Sequence, residues 1–196
     1  MLISDSRLSN SPVMSLHAGG RIGSLKKPII NPANLRIIAY EIAAQQGKDA
    51  TYLLTSDIRE YGSLGAIIDM ADDFISPGDV IKLDELIALN FTLIGMAVHN
   101  EDGKKLGKVS GYTVETVHFD IQQLQVKGGI LQSLRDTTGL IIHRSQIIEI
   151  NNTAIIVKST KEKSAEPVST VTRGAFINPF RPAHPPQPES SSVTSP

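Results

Sequence analysis

Arg21-Ile22-Gly23-Ser24-Leu25 and Lys105-Leu106-Gly107-Lys108-Val109 are one phrase written twice, 84 residues apart. At that same offset Leu35, Ile37, Tyr40 and Ile42 fall on Phe119, Ile121, Leu124 and Val126. Further along, Ser56-Asp57-Ile58 meets Ser145-Gln146-Ile147 at an offset of 89, and Ala66-Ile67-Ile68 meets Ala154-Ile155-Ile156 at 88. Loop insertions produce small drifts of this kind. Self-similarity at a nearly fixed period marks a duplicated structural unit.

Working outward, each copy reads as short strands broken by turns. In the first unit, residues 12–83, the strand candidates are Leu35 to Ile42, Tyr52 to Thr55 and Gly65 to Asp69. Phe74-Ile75-Ser76-Pro77-Gly78-Asp79-Val80-Ile81 reads as strand, turn, strand, because Pro-Gly-Asp sets turn geometry between apolar pairs. In the second unit, residues 84–158, Leu93 to His99 is apolar and strand-like. Asn100-Glu101-Asp102-Gly103 supplies a hairpin turn, since Asp-Gly tolerates positive φ. Lys105 to Val114, Phe119 to Lys127, Leu140 to His143, Ile147 to Ile150 and Thr153 to Lys158 follow as strands. Many short strands separated by turns predict a mainly all-β fold, with a sandwich or small barrel in each of two packed units, over a helical one.

The alternation slips once in each copy. Leu35 and Ile37 are in phase; Tyr40 and Ile42 are shifted by one. Phe119 and Ile121, then Leu124 and Val126, slip at the same place. A strand has period two, so a phase change implies one extra residue. A β-bulge is expected near Ile38-Ala39 and near Gln122-Gln123; a strand apolar on both faces is the alternative.

The chain has 196 residues and a net charge of −1, which gives no general pull toward nucleic acid or anionic lipid. With no cysteine, disulfides, thiolate catalysis and thiolate-bound zinc are excluded. No apolar run reaches the about 18 residues that suggest a membrane span. The start of the chain does not read as a signal peptide, so a cytoplasmic protein is expected.

From Ser159 onward the composition changes. Seven of the eleven prolines lie between Pro167 and Pro196, and serines cluster at 190–192. Such a segment is expected to be disordered. Inside it, Phe176, Ile177, Phe180 and Arg181 stand out as apolar and basic anchors that suit a short docking peptide. Folding back onto the chain's own barrels is the other use for them.

No residue pattern supports a reaction. Gly103-Lys104-Lys105-Leu106-Gly107-Lys108 has three residues between its glycines where a phosphate loop needs four, and Val109 stands where Ser or Thr would hold magnesium. His17-Ala18-Gly19-Gly20-Arg21-Ile22-Gly23 lacks dinucleotide spacing. His17, His99, His118, His143 and His184 show no metal-site spacing. Asp69, Asp72 and Asp73 do not make a calcium loop. No catalytic, metal or cofactor residue is therefore assigned, and no cofactor is expected. Lys26, Lys27, Lys104, Lys105 and Lys108 fall in the corresponding hairpins and could meet phosphates if a twofold brought them to one face.

The tandem pattern resembles the PRC-barrel family. The resemblance rests on Asp102-Gly103-Lys104-Lys105-Leu106-Gly107-Lys108-Val109, the long strand Phe119 to Lys127, Leu140-Ile141-Ile142-His143-Arg144-Ser145-Gln146-Ile147, and Ala154-Ile155-Ile156-Val157. His143 stands where the family commonly has proline. The resemblance covers residues 12–158 and is clearest in the second copy. It implies small β-barrels that dock onto other macromolecules without a common active site. Similar modules occur in the cytoplasmic subunit of photosynthetic reaction centres and in a ribosome maturation factor. A non-enzymatic adaptor for protein assembly is the reading this favours. An RNA-associated factor and a photosynthetic-complex subunit are the alternatives.

Overall fold

Both copies of the repeated phrase lie in long strands of a computed structural model that describes residues 1–44, 50–128, 139–151 and 153–159. The first copy contains β2 (Pro12–Ser15), β3 (Gly20–Asn31), β4 (Arg36–Ala44), β5 (Thr51–Leu54), β6 (Glu60–Gly62) and β7 (Gly65–Ile68). The second contains β9 (Ala97–Asn100), β10 (Lys105–Glu115), β11 (Asp120–Lys127), β12 (Leu140–His143), β13 (Ile147–Ile150) and β14 (Ala154–Val157). Outside the copies are β1 (Leu2–Ser4), α1 (Asp5–Leu8), β8 (Phe74–Ile75) and α2 (Ile81–Ala88). The fold is mainly β.

The strand order is a palindrome: β13-β14-β9-β10-β11 continues into β4-β3-β2-β7-β6. In each copy the first strand pairs in parallel with the last, β2 with β7 and β9 with β14. The long hairpin pairs antiparallel, and a fourth strand, β5 or β12, adds to it. The duplication is therefore topological as well as textual.

The register irregularities repeat too. Ile29 faces Ala39 while Ile30 faces Ile37, which leaves Ile38 as an extra residue. Thr113 faces Gln123 while Val114 faces Ile121, which leaves Gln122 over. These are the two bulges the phase slip calls for. A second matched pair lies inside the phrase itself: Ile22 is skipped opposite β2 and Leu106 opposite β9. Each bulge adds local twist and bends its strand.

The phrase keeps its glycine for a steric reason. A Cβ on Gly107 would stand 2.5 Å from the Lys127 carbonyl oxygen, and its φ is +150°. A Cβ on Gly23 would meet Ile42 Cγ2 at 2.9 Å and the Ala43 carbonyl oxygen at 3.1 Å. Neighbouring backbone has closed in on both positions.

Several expectations need correction. Val80 and Ile81 do not return as a strand; α2 runs from Ile81 to Ala88. Leu83, Leu86 and Ile87 have the i, i+3, i+4 spacing of a buried helix face, which outweighs the short apolar pair at its start. The strand expected from Leu93 begins only at Ala97, after the positive-φ Gly95. Ala66, Ile67 and Ile68 correspond to Ile155, Ile156 and Val157, because Val13 faces Ala66 and Val98 faces Ile155. The offset there is 89, and the alanine match was fortuitous. The expected boundary between residues 83 and 84 falls inside α2. Residues 1–11, left outside both units, supply β1 and α1, and β1 pairs with β10. The expected tail, with Phe176, Ile177, Phe180 and Arg181, lies outside the described residues, as does His184.

The two interiors are also not separate. Leu25, Ile37, Tyr40, Leu53 and Ile68 of the first copy share one buried cluster with Val109, Phe119, Ile121, Leu124 and Ile155 of the second. Burying each Leu, Ile or Phe contributes about 1.5–3 kcal/mol, so this joint core is a large part of what holds the copies together. A smaller cluster of Ile29, Ala39, Tyr52 and Leu83 lies under α2, on the outer face of the first copy.

Replacing Gly107 with alanine should destabilise the chain by about 2 kcal/mol, because both the backbone angle and the Lys127 carbonyl oppose a Cβ. Gly20→Ala, where nothing lies within 4 Å, should change stability by less than about 0.5 kcal/mol. Urea unfolding of the full chain checks both.

Candidate interaction surface

Two places distinguish this molecule from a plain pair of β modules: the seam where the copies join, and an outer face that one copy covers and the other leaves open.

At the seam, Leu35 and Phe119 occupy equivalent positions at the head of β4 and β11. Both adopt left-handed backbone, with φ of 46° and 56°. That conformation costs an ordinary residue about 1–2 kcal/mol. It aims each carbonyl across to the other copy. The Ile37 amide donates to the Phe119 carbonyl at 3.0 Å, and the Ile121 amide donates to the Leu35 carbonyl at 2.9 Å. Arg36 lies opposite Asp120, with Nε donating to Oδ1 at 2.8 Å. Arg144 approaches the same carboxylate at 3.5 Å and donates to the Asn34 carbonyl. Tyr40 meets Phe119 edge to face, with ring centroids 6.3 Å apart. The Arg36 hydrogen bond holds the Asp120 carboxyl below its ordinary range against an opposing effect of burial, with Arg144 adding to it. Beside this seam, residues 32–35 and Arg144 form an open groove with Ile147, Ile148, Glu149 and Ile150.

On the outer face, β5 of the first copy carries β8 on its free edge, with Tyr52 opposite Ile75 and Leu53 opposite Phe74. α2 then lies over Ile29, Ala39 and Tyr52. The equivalent positions in the second copy are Thr113, Gln123 and Ile141. Among the described residues, β12 pairs only with β11. The consequence is visible at one position: Tyr52 is 7% exposed and Ile141 is 60% exposed. Around Ile141 lie the polar β11 side chains Gln123 and Gln125 and the β12 end residue His143. His143 Nδ1 is occupied locally by the Ser145 hydroxyl at 3.0 Å.

The lysines are not equivalent to one another in the two copies. Lys26 and Lys27 sit at a bulge inside β3, at the positions of Ser110 and Gly111. Lys104 precedes β10; Lys105 faces His99, and Lys108 faces both Ala97 and Lys127. Lys26 Nζ donates to Asn10 Oδ1 and Lys27 Nζ to Asn90 Oδ1, both at 2.7 Å. All five side chains are exposed or nearly so. The phosphate-loop lookalike runs from the hairpin turn, where Gly103 has φ of +79°, into β10. Asp69 pairs with Arg59 at 2.9 Å. His118 lies 3.4 Å from Glu115. Among the described residues no group of three or more His, Asp or Glu is placed to hold a metal. No helix among them is long and apolar enough to cross a membrane.

The open face was missed from sequence, although one signal for it was present. Tyr52 and Ile141 align at the offset of 89, and Phe74-Ile75 follows the first by about twenty residues and pairs with its strand as β8.

A family model for the PRC-barrel domain matches residues 90–164, which take in the second module. The first module, identical in strand topology, lies outside that match. No curated protein matches the chain.

The seam carboxylate makes stability depend on acid. Because the folded state depresses the Asp120 pKa, its contribution is present above the ordinary carboxylate range of about 3.9. It is lost as pH falls through the lower folded value. Asp120→Asn should be less stable than the parent at pH 6, and the gap should close toward pH 2. Urea midpoints measured across that range test this; a constant gap would contradict it.

Proposed function

We propose that the protein is a non-enzymatic adaptor that assembles other proteins, with the open face of its second module as one contact and the segment holding Phe176, Ile177, Phe180 and Arg181 as another. The observation that carries this reading is Ile141, exposed where its counterpart Tyr52 is buried. A β-branched side chain on an edge strand offers a partner an apolar contact beside main-chain hydrogen-bonding groups. The matched domain is often a protein-interaction module, which agrees with that use. The cytoplasmic location expected from the sequence goes with the proposal.

Crosslinking and mass spectrometry of the full chain in its native cell provides the test. Partners recovered with the parent should fall at least fivefold with Ile141→Asp or with the Phe176→Ala, Phe180→Ala pair. Unchanged recovery with both variants would overturn the adaptor reading. Recovery of RNA in place of protein, lost on replacing Lys104, Lys105 and Lys108, would favour the RNA-associated alternative.

A further inference from the structure

We infer that the outer edge of β12 receives an extended segment of a partner protein as an added antiparallel strand, with two adjacent apolar residues facing Ile141 and Ile142. This deepens the adaptor reading and rests on it. The molecule itself displays the occupied form of the site. In the first copy, β5 occupies the position of β12, and β8 is the added strand. Ile75 stands opposite Tyr52 and belongs to the cluster on the outer face; Phe74 stands opposite Leu53 and packs toward the main core. Consecutive residues of a strand point to opposite faces, so one short apolar pair fills both sides at once.

Ile141 and Ile142 repeat Tyr52 and Leu53 in register. Ile141 faces Gln125 on β11 as Tyr52 faces Glu41 on β4, and Ile142 faces Leu124 as Leu53 faces Tyr40. Ile142 is buried and Ile141 is not. The inner half of the arrangement is thus complete, and among the described residues the outer half has no added strand.

The edge also lacks the features that keep strands apart. Exposed edges are commonly guarded by lysine, proline or inward charge. Leu140-Ile141-Ile142-His143 contains no lysine, proline, aspartate or glutamate. The outermost strands of the sheet order differ: β6 carries Glu60 and β13 carries Glu149. An incoming strand gains main-chain hydrogen bonds along the edge and side-chain contacts at alternate positions. With Ile141 at its middle and Gln123 and Gln125 beside it, the edge fits a partner segment that is apolar and β-branched or aromatic at its centre.

The peptide Ala-Asp-Asp-Phe-Ile-Ser-Pro-Gly, which is the sequence of residues 71–78, serves as the probe because it already fills the equivalent edge. Added to the full chain at up to millimolar concentration, it should slow amide exchange at residues 140–143 at least fivefold. Ile141→Asp, at an exposed position, should weaken that binding about tenfold. The same peptide with N-methyl groups on its Phe and Ile amides should not bind. No slowing at 140–143, or equal slowing in Ile141→Asp, would overturn the inference. So would slow exchange at 140–143 in dilute chain without peptide, which would mean that the edge is already filled. Protection that rises with chain concentration alone would assign the edge to a second copy and overturn the partner assignment. If the peptide fails while Ile141→Asp still loses its crosslinked partners, the adaptor reading survives with face-on docking.

Discussion

The exchange of main-chain hydrogen bonds between Leu35 and Ile121, and between Phe119 and Ile37, is the constraint on which the rest depends. Both accepting carbonyls belong to residues held in left-handed backbone, and both side chains are buried beneath the crossing. The strain is tolerated because each residue satisfies the other copy's amide and fills the shared core. Arg36 and Asp120 occupy equivalent positions, so one carries the charge its counterpart needs. Two first copies meeting in this way would oppose arginine to arginine. Two second copies would oppose aspartate to aspartate. The charge difference selects pairing between unlike modules of one chain over pairing between like modules of two.

A second constraint reinforces the first. The segment ahead of each copy packs on the other copy. β1 pairs with β10, and the Tyr112 amide donates to Asp5 Oδ1 at 3.2 Å. α2 lies on the outer face of the first copy, and the residue equivalent to Asp5, Asn90, accepts from Lys27 Nζ. Proline stands at residue 28 where the second copy has Tyr112, so no amide is available there. The neighbouring lysine side chain supplies the donor. Leu8 and Leu93, also equivalent, are each 1% exposed. Modules of about 70 residues are near the lower limit for independent stability. Exchanged arms and a common core remove the need for either module to stand alone, which is why a boundary between residues 83 and 84 has no physical counterpart.

What the sequence made legible follows from what repeats and what does not. The glycine phrase, the phase slip and the apolar alternation are local patterns, and duplication let each be read twice. They were sufficient for β4, β5 and β7, for most strands of the second copy and for the two bulges of the phase slip, but not for β1, β2, β3 and β6, whose residues carry no long apolar alternation. α2 was hidden because it occurs once, between the copies, and its Leu83, Leu86 and Ile87 spacing was masked by the apolar pair Val80-Ile81. The merger of the two interiors was hidden for another reason. Phe119 and Leu35 read as ordinary core residues, and nothing local distinguishes a side chain in its own module's interior from one at a shared seam. The open face depends on an absence at β12, which is visible only when the occupied β5 is laid beside it.

The divergence between the copies carries the functional argument one step further. On the covered face the first copy has Ile29, Ala39 and Tyr52; on the open face the second has Thr113, Gln123 and Ile141. Two of the three positions are polar in the copy that, among the described residues, has no helix above them. The third is not. Isoleucine stands there, 60% exposed, at the position where its twin buries a tyrosine. Burial of that side chain against an added strand would recover apolar area that the described residues leave exposed. The polar pair beside it sets the limit on what can be added: a segment lying along the β12 edge meets Ile141, whereas a helix laid across the sheet as α2 is would bury the amides of Gln123 and Gln125 without an assured partner. The two copies thus present two states of one architecture, and the chemistry of the open one favours a strand over a helix as the element that closes it.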